Sequence, residues 1–179
     1  MSQANSDRVI LVDSRDAEIG TADKLDAHRR GLTHRAVSVL VRNRQGALLL
    51  QRRSAGKYHS SGLWANACCS HPFPGEAAVV AAERRIFEEM GLECALQPLF
   101  VTHYRAEVSD GLIEDEVVHV FGGTYDGPIA PNPGEVSEWK WITLEELKSE
   151  MQVRPEHFAV WFRHYFARHA DTIAAWLGR

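Results

Sequence analysis

The fold of this chain can be predicted from one stretch of its sequence, EAAVVAAERRIFEEMGL, which occupies residues 76–92. Apolar and small residues recur there at helical spacing and a glycine follows the last of them, which predicts an amphipathic helix ended by a glycine cap. The recurring residues are Val79, Ala82, Ile86 and Met90, and the glycine is Gly91. Arg85 and Glu89 lie four residues apart, so their side chains share one face of this helix, and Arg84 and Glu88 share the adjoining face.

Strand patterns flank the helix on both sides. Short runs rich in Val, Ile and Leu predict strands, and the turn NRQG between two of them predicts a hairpin. The predicted strands cover residues 8–13, 35–43, 47–53, 99–108, 114–127 and 138–142, and a second helical pattern covers residues 155–178. This order predicts an α/β fold in which a mixed β-sheet, with an N-terminal strand extension, is covered by helices that include a long C-terminal one. At 179 residues we expect one domain, residues 1–179, with residues 1–7 flexible.

The composition favours a small-molecule substrate. The formal net charge is −4, so the chain lacks the positive surface typical of nucleic-acid binders. Three cysteines are an odd number, and the adjacent Cys68 and Cys69 are poorly placed to bridge each other, so we expect free thiols and a reducing cytoplasm. The apolar run at residues 9–12 is too short for a signal peptide, and no later run approaches the ~18 residues of a membrane helix. We therefore expect no membrane association, and nothing indicates an obligate protein partner.

Three groups of residues carry side chains that can bind metals. They are His28 with His34, Cys69 with His71, and Glu114 with Glu116 around Asp115. On a strand, residues i and i+2 point to the same face, so Glu114 and Glu116 can converge on one ion while Asp115 faces away. Each group also has a simpler interpretation, as solvated charges or, for the cysteine, as a small buried apolar residue. Imidazole and carboxylate together would suit a divalent ion such as Zn²⁺ or Mn²⁺.

The predicted helix resembles the Nudix signature, G-x5-E-x7-R-E-U-x-E-E-x-G-U, in which U is a bulky aliphatic residue. The matching residues are Glu76, Arg84, Ile86, Glu88, Glu89, Gly91 and Leu92. Ser70 stands in place of the first glycine, and Arg85 stands in place of the first glutamate of the REUxEE core. The resemblance implies a Nudix fold whose carboxylates hold Mg²⁺ on a diphosphate substrate. Because Arg85 removes a carboxylate and adds a positive charge, it disfavours multi-ion hydrolysis but not diphosphate binding.

Nearly the whole chain resembles the type 1 isopentenyl-diphosphate isomerases, which use a Nudix fold for a non-hydrolytic reaction. The segments that carry the resemblance, in the family's order, are DKLDAHRRGLTHRAVSVLV, LLLQRRSAGKYHSSGLWANACCSHP, HYRA, IEDEV, EWKWI and RPEHFAVWF. The pattern W-x-N-x-x-C-x-H-P is specific to that family and places its catalytic cysteine at Cys69. Cys68 falls where the family tolerates an aliphatic residue, so the resemblance implies that Cys69 reacts and Cys68 packs.

The resemblance implies interconversion of isopentenyl diphosphate and dimethylallyl diphosphate through a tertiary carbocation, and a role for each matching residue. The implied catalytic residues are Cys69, Glu116 and Tyr104. The implied ligands of one divalent ion, Mn²⁺ or Zn²⁺, are His28, His34, His71, Glu114 and Glu116, and those of a Mg²⁺ that arrives with the substrate are Glu89 and the main-chain carbonyl of Cys69. The implied substrate-binding residues are Lys24, Arg53, Lys57 and Arg85 at the diphosphate and Trp161 over the cation. Without the resemblance, Trp161 would be taken as a core residue of an amphipathic helix.

Two alternative functions use the same residues. A Nudix pyrophosphohydrolase is supported by Glu76, Glu88 and Glu89 and opposed by Arg85. A metal-sensing or structural module is disfavoured, because Glu114 and Glu116 would be unusual ligands in a closed structural zinc site.

Overall fold

The computed structural model describes residues 7–178, and its elements include every predicted strand and helix. Its strands are β1 (Arg8–Val12), β2 (Glu18–Asp23), β3 (His34–Arg42), β4 (Leu48–Arg53), β5 (Trp64–Asn66), β6 (Cys68–Ser70), β7 (Leu96–Glu107), β8 (Ile113–Thr124) and β9 (Val136–Ile142). Its α-helices are α1 (Lys24–Arg30), α2 (Ala78–Met90), α3 (Leu144–Val153) and α4 (Val160–Leu177). Short 3₁₀ turns lie at Ser109–Gly111 and Pro155–His157. The apolar patterns of the sequence did not predict strands β2, β5 and β6 or helices α1 and α3.

One mixed sheet is built around β3, which pairs with β1, β4 and β6 antiparallel and with β8 parallel. Strand β8 pairs on its other side with β7. The register sets His34 opposite Glu116, Tyr104 opposite Glu116, and Ser38 opposite Cys69. Because residues directly opposite each other point to the same face of a sheet, this register groups polar side chains that are far apart in the sequence.

The sheet is covered on its two faces by different helices. Ala36 and Leu40 of β3 belong to the core cluster that contains the buried residues of α4. Val37, Val39 and Val41 belong to the cluster that contains the buried residues of α2. Successive residues of a strand face opposite sides, so β3 is the middle layer between the two helices. The predicted α/β fold, a mixed sheet covered by helices with a long C-terminal one, is confirmed.

Helix α2 ends as its sequence predicts. Gly91 adopts a left-handed conformation (φ 65°) and its N–H donates to the carbonyl of Phe87. A Cβ at this position would also collide with the carbonyl oxygen of Ala130, so a residue with a side chain would be strained there. The predicted apolar face is wrong at Val79, which lies in the first turn and is 37% exposed, because the buried face of the helix begins only at Ala81.

The C-terminal helix is shorter than its sequence pattern predicts. Helix α4 begins at Val160 rather than at residue 155, because Pro155–His157 form a 3₁₀ turn and Phe158 is extended.

The predicted flexible terminus, residues 1–7, lies outside the described residues except for Asp7, and the single domain over residues 1–179 stays a prediction. Among residues 7–178, no helix is both long and apolar enough to cross a membrane.

Candidate active site

A pocket of about 520 Å³ lies beside the ends of α1 and β6 and the segment between β4 and β5. The predicted site residues that line it are Lys24, Arg53, Lys57, Cys69, His71, Arg85, Tyr104, Glu114, Glu116 and Trp161. The other predicted site residues, His28, His34 and Glu89, are almost fully buried. The fold therefore brings most of the predicted residues to one cavity.

Three histidines and one glutamate converge beside this pocket. His28 on α1, His34 on β3, His71 after β6 and Glu116 on β8 each offer a ligand atom within 4.8 Å of the others. Glu116 Oε1 lies 3.0 Å from His71 Nε2 and 3.4 Å from His34 Nε2. Imidazole nitrogen and carboxylate oxygen are a donor set that suits a divalent ion such as Mn²⁺ or Zn²⁺.

The backbone orients two of these imidazoles. Nδ1 of His28 lies 2.7 Å from the carbonyl oxygen of Lys24, and Nδ1 of His34 lies 2.7 Å from that of Leu32. A carbonyl only accepts, so Nδ1 carries a hydrogen, and in the neutral ring Nε2 keeps its lone pair for a metal. The Nε2 atoms of His34 and His71 are 3.2 Å apart, a separation that a shared cation or a proton makes favourable. The residues present therefore fit a divalent ion.

Burial and the mutual contacts set the charge of this group. Burial lowers the pKa of His71 to about 4 and, together with the charge of His34, lowers the pKa of His28. Burial opposes the ionisation of Glu116, but hydrogen bonds from His34 and His71 hold its pKa well below the usual range. His34 differs from the other two histidines: burial lowers its pKa, but the hydrogen bond to Glu116 and the charge of Glu116 raise it above the usual value. A divalent ion would take the place of that proton, because an imidazole ligates a metal only through a nitrogen without a hydrogen.

Glu114 belongs to a second group, which overlaps with the first at His28. Ligand atoms of His28, His59 and Glu114 lie within 4.8 Å of one another, and Glu114 Oε1 is 3.3 Å from His59 Nε2. Burial and the charge of Glu116 raise the pKa of Glu114 well above its usual range. The ligand set implied by the resemblance is thus distributed over two overlapping groups. His59 was missed because a histidine in a Gly- and Ser-rich segment reads as a solvated loop residue.

The alternation along β8 separates its acidic residues as predicted. The Tyr104 hydroxyl lies 3.0 Å from a Glu114 carboxyl oxygen and 2.8 Å from a Glu116 carboxylate oxygen. It has one hydrogen, which it donates to the ionised Glu116, and its oxygen can accept a hydrogen from Glu114, whose pKa is raised. Asp115 faces away and pairs with His103 at 2.7 Å and Arg105 at 3.0 Å. Tyr104 therefore lies between the two β8 carboxyl groups that line the pocket.

The two adjacent cysteines have different surroundings. Cys68 is fully buried in the core cluster under α2, whereas Cys69 lines the pocket. The thiol of Cys69 donates to Asn66 Oδ1 at 3.2 Å, and its sulfur lies 3.0 Å from Ser38 Oγ. Burial raises the pKa of Cys69 to about 12, so the thiol keeps its proton at neutral pH.

Carboxylates pair with two of the basic groups of the pocket. Arg85 contacts Glu89 at 2.6 Å and Glu88 at 2.7 Å, and Lys57 forms an ion pair with Glu135. A substrate diphosphate would have to replace some of these carboxylates as the partner of the cations.

The other two of the four predicted diphosphate-binding residues lie over aromatic rings. The Arg53 guanidinium is 5.1 Å from the ring centre of Trp161, and the Lys24 ammonium is 5.3 Å from that of Tyr58. Trp161 is 2% exposed, and its Nε1 has no hydrogen-bond partner in the part of the chain that the structure describes. An indole has two faces, so a second cation could lie against Trp161 beside the pocket.

The chain is similar to known proteins in sequence and in fold. The NUDIX domain matches residues 32–162. "Isopentenyl-diphosphate Delta-isomerase 2" of Aromatoleum aromaticum is 50% identical over 155 residues, which cover 87% of this chain and 82% of that protein. "Isopentenyl-diphosphate Delta-isomerase" of Pectobacterium atrosepticum is 47% identical over 163 residues, 91% of each chain. Among solved structures, a protein of Deinococcus radiodurans aligns with a TM-score of 0.69 at 24% identity, over 82% of this chain and 89% of that one.

Proposed function

The chain belongs to the NUDIX family and, within it, to the isopentenyl-diphosphate Delta-isomerases, and from that premise we propose how its pocket catalyses the reaction. The protein is an isomerase that interconverts isopentenyl diphosphate and dimethylallyl diphosphate. The observation that carries the proposed mechanism is that the Cys69 thiol and the Glu116 carboxylate line one pocket, where burial raises the pKa of Cys69 and hydrogen bonds from histidines lower the pKa of Glu116.

The reaction needs two proton transfers. Moving the double bond from the 3,4 to the 2,3 position adds a proton at C4, which leaves a tertiary carbocation at C3, and then removes a proton from C2. Such a cation would be trapped by water or lose the wrong proton unless the site is dry and holds acid and base in fixed positions. The acid and the base must therefore be two positioned groups of the protein.

Cys69 is the proposed group on one side of the substrate. Its high pKa keeps a proton available, and Asn66 and Ser38 fix the position of the sulfur. Asn66 Nδ2 donates to Ser38 Oγ at 2.9 Å, so the hydrogen of the Ser38 hydroxyl remains free to donate to the sulfur when the thiol has lost its proton.

Glu116 with Tyr104 is the proposed pair on the other side. Glu116 is ionised and can accept a proton, while the Tyr104 hydroxyl donates to it at 2.8 Å. In the reverse reaction the roles exchange, so that the Glu116 side donates and the Cys69 side accepts.

The divalent ion is proposed at the histidine group. His28, His34, His71 and Glu116 would hold it, with Glu114 beside them, and the ion would be Mn²⁺ or Zn²⁺. When bound, it would supply positive charge that tunes the acidity of the Glu116 side.

The diphosphate end of the substrate is proposed to bind among Lys24, Arg53, Lys57 and Arg85. Mg²⁺ would enter with the diphosphate and be held by Glu89 and the main-chain carbonyl of Cys69. Glu89 is 1% exposed and accepts a hydrogen bond from Gln51 Nε2 at 3.0 Å, so its carboxylate is fixed in place. The hard carboxylate and carbonyl oxygens are donors of the type that Mg²⁺ prefers.

Trp161 is proposed to stabilise the carbocation. Its indole lies in the wall of the pocket, and an indole face attracts a desolvated cation by up to ~2 kcal/mol. The Arg53 guanidinium already lies over one face of this ring, as this attraction predicts. The other face remains for the carbocation of the substrate.

The alternative function, a pyrophosphohydrolase, is not favoured by any contact of α2. Glu76 is bound to Arg84 at 2.8 Å, and Glu88 and Glu89 are bound to Arg85. We also propose a cytoplasmic location, because the three cysteines are free thiols, as is usual in a reducing compartment. A small diphosphate substrate is the proposed partner, without nucleic acid, membrane or an obligate protein.

The test is incubation of isopentenyl diphosphate with the protein and Mg²⁺ in deuterated water, followed by NMR. If Cys69 and Glu116 exchange protons with solvent between turnovers, deuterium enters the new methyl group first and other carbon positions on reversal. A hydrolase would release phosphate and leave all carbon-bound hydrogens in place, because its water attacks phosphorus. Stoichiometric phosphate release without carbon-bound deuterium would refute the isomerase mechanism.

A further inference from the structure

His59 is a buried imidazole to which the proposed mechanism gives no role. It is 5% exposed and lies on the segment between β4 and β5, which also carries Lys57 and Tyr58 into the pocket. A buried polar ring requires compensating contacts, and those of His59 all lie at the active site. The surroundings of His59 therefore indicate a role at the active site.

The nitrogens of His59 face two different partners. Nε2 is 3.3 Å from Glu114 Oε1, and Nδ1 is 3.2 Å from the hydroxyl of Ser60. A hydroxyl can accept the Nδ1 hydrogen, which leaves the Nε2 lone pair facing Glu114 and the His28 ring, whose centre is 5.8 Å away. His28 and His34 are oriented in the same way, with Nδ1 against an oxygen atom outside the ligand groups and Nε2 directed toward the side chains of the site.

The backbone around His59 is held in place by contacts of its own. Ser60 has a positive φ of 51°, which is uncommon for a residue with a side chain, and its N–H donates to Ser109 Oγ at 3.3 Å. Arg53 donates to the His59 carbonyl at 3.0 Å. The segment therefore places the ring of His59 at the site.

We propose that His59 is a further ligand of the divalent ion, supplied by the segment between β4 and β5 on the Glu114 side of the site. The group His28, His59 and Glu114 shares His28 with the first group, so the two groups meet at one imidazole. This proposal rests on the proposed function in one respect, the presence of an ion at the histidine group.

One consequence is a link between metal binding and the diphosphate site. Lys57 lies two residues before His59, so an ion held by His59 would also fix Lys57 over the pocket. Removal of the ion should loosen this segment and expose the peptide bond after Lys57 to trypsin.

The test uses Mn²⁺ alone, with no substrate, and compares the wild-type chain with His59→Ala, His59→Gln and His71→Ala. Free Mn²⁺ is measured by EPR during a titration, and tryptic cleavage after Lys57 is followed by mass spectrometry with and without Mn²⁺. His157→Ala is the matched control, because His157 is an exposed histidine outside both groups. Circular dichroism of the metal-free variants checks folding, and His59→Gln carries the test if His59→Ala does not fold.

We expect both His59 variants to bind Mn²⁺ at least about tenfold more weakly or to lose one bound equivalent, and to lose the protection of the Lys57 bond. His157→Ala should bind like the wild type. Unchanged Mn²⁺ binding in both His59 variants, with binding lost in His71→Ala, would refute the role of His59 and leave the histidine site standing. Loss in His59→Ala but not in His59→Gln would show that His59 only donates a hydrogen bond to Glu114, and would also overturn the proposal. A wild-type chain that binds no Mn²⁺ would refute the histidine site itself.

Discussion

Replacing each of the adjacent cysteines in turn should separate their roles. Cys69→Ala removes the thiol that is bound to Asn66 and Ser38 in the pocket, whereas Cys68→Val changes a side chain that is fully buried under α2. A positioned acid or base contributes about 10²–10⁴-fold to a rate. At about 1.36 kcal/mol per tenfold, Cys69→Ala should raise the activation free energy by about 2.7–5.4 kcal/mol.

The Cys68→Val variant sets the baseline for that loss. Valine has one more side-chain heavy atom than cysteine, and an added methyl-sized group in a packed core costs about 1–3 kcal/mol of folding free energy, so we expect a lower melting temperature but a folded chain. The thiol of Cys68 lies near the Glu89 carboxylate, so we expect any kinetic change to affect KM more than kcat.

The assay follows the conversion of the exomethylene protons of isopentenyl diphosphate by proton NMR, with thermal unfolding measured in parallel. A third variant, Cys69→Ser, keeps a hydroxyl that can bind Asn66 and Ser38 but is a much weaker acid, so its kcat should also fall. Equal kcat values for Cys69→Ala and Cys68→Val would show that Cys69 does not transfer a proton and would refute the assignment.

Two further predictions concern the two metals and the third cysteine. Glu89→Gln should raise the KM for the magnesium–diphosphate substrate and leave Mn²⁺ binding, measured without substrate, unchanged. His71→Ala should weaken that Mn²⁺ binding, and its KM should rise less than that of Glu89→Gln, because the loss of the ion affects the diphosphate only through the segment that carries Lys57. Loss of Mn²⁺ from both variants, measured without substrate, would contradict two separate sites. Burial raises the pKa of Cys94 to about 11, so little thiolate exists at neutral pH, and its alkylation by iodoacetamide should rise about tenfold per pH unit between pH 8 and 10. Mass spectrometry gives the rate, the urea-unfolded chain is the control, and a rate that levels off below pH 9 would contradict the raised pKa.

The long elements of the fold could be predicted from the sequence because each buries one face along its whole length. Helix α2 and strands β3 and β8 show that periodicity clearly. The short elements could not: β5 and β6 have three residues each, too few for a periodic pattern. Helix α1 has seven residues and is stabilised by the Asp23 cap and by Gly31, which has a φ of 60°. Isolated helices of that length are unstable, so its formation depends on the tertiary structure that buries His28.

The site itself could be predicted only through the family resemblance. Spacing along the chain leaves solvation as the simpler interpretation for His34 and Glu116, and their proximity comes from the parallel pairing of β3 with β8. Such non-local pairing has no signal in a single sequence. The strand alternation did separate Glu114 and Glu116 from Asp115, because this depends on local geometry alone.

The ion pairs of α2 indicate how a NUDIX helix can serve a reaction without hydrolysis. Arg85 is bound to both Glu88 and Glu89. Burial lowers the pKa of Arg85, but the two carboxylates raise it by more, so the guanidinium stays charged. A free cation that approached Glu89 would have to displace this charge and would meet its repulsion. A magnesium–diphosphate complex brings its own anion, whose oxygens can take over Arg85 while the metal takes Glu89. We therefore expect Mg²⁺ to bind at Glu89 only together with the diphosphate. Hydrolysis by several ions would need carboxylates that are free before the substrate arrives, and Arg85 occupies two of them.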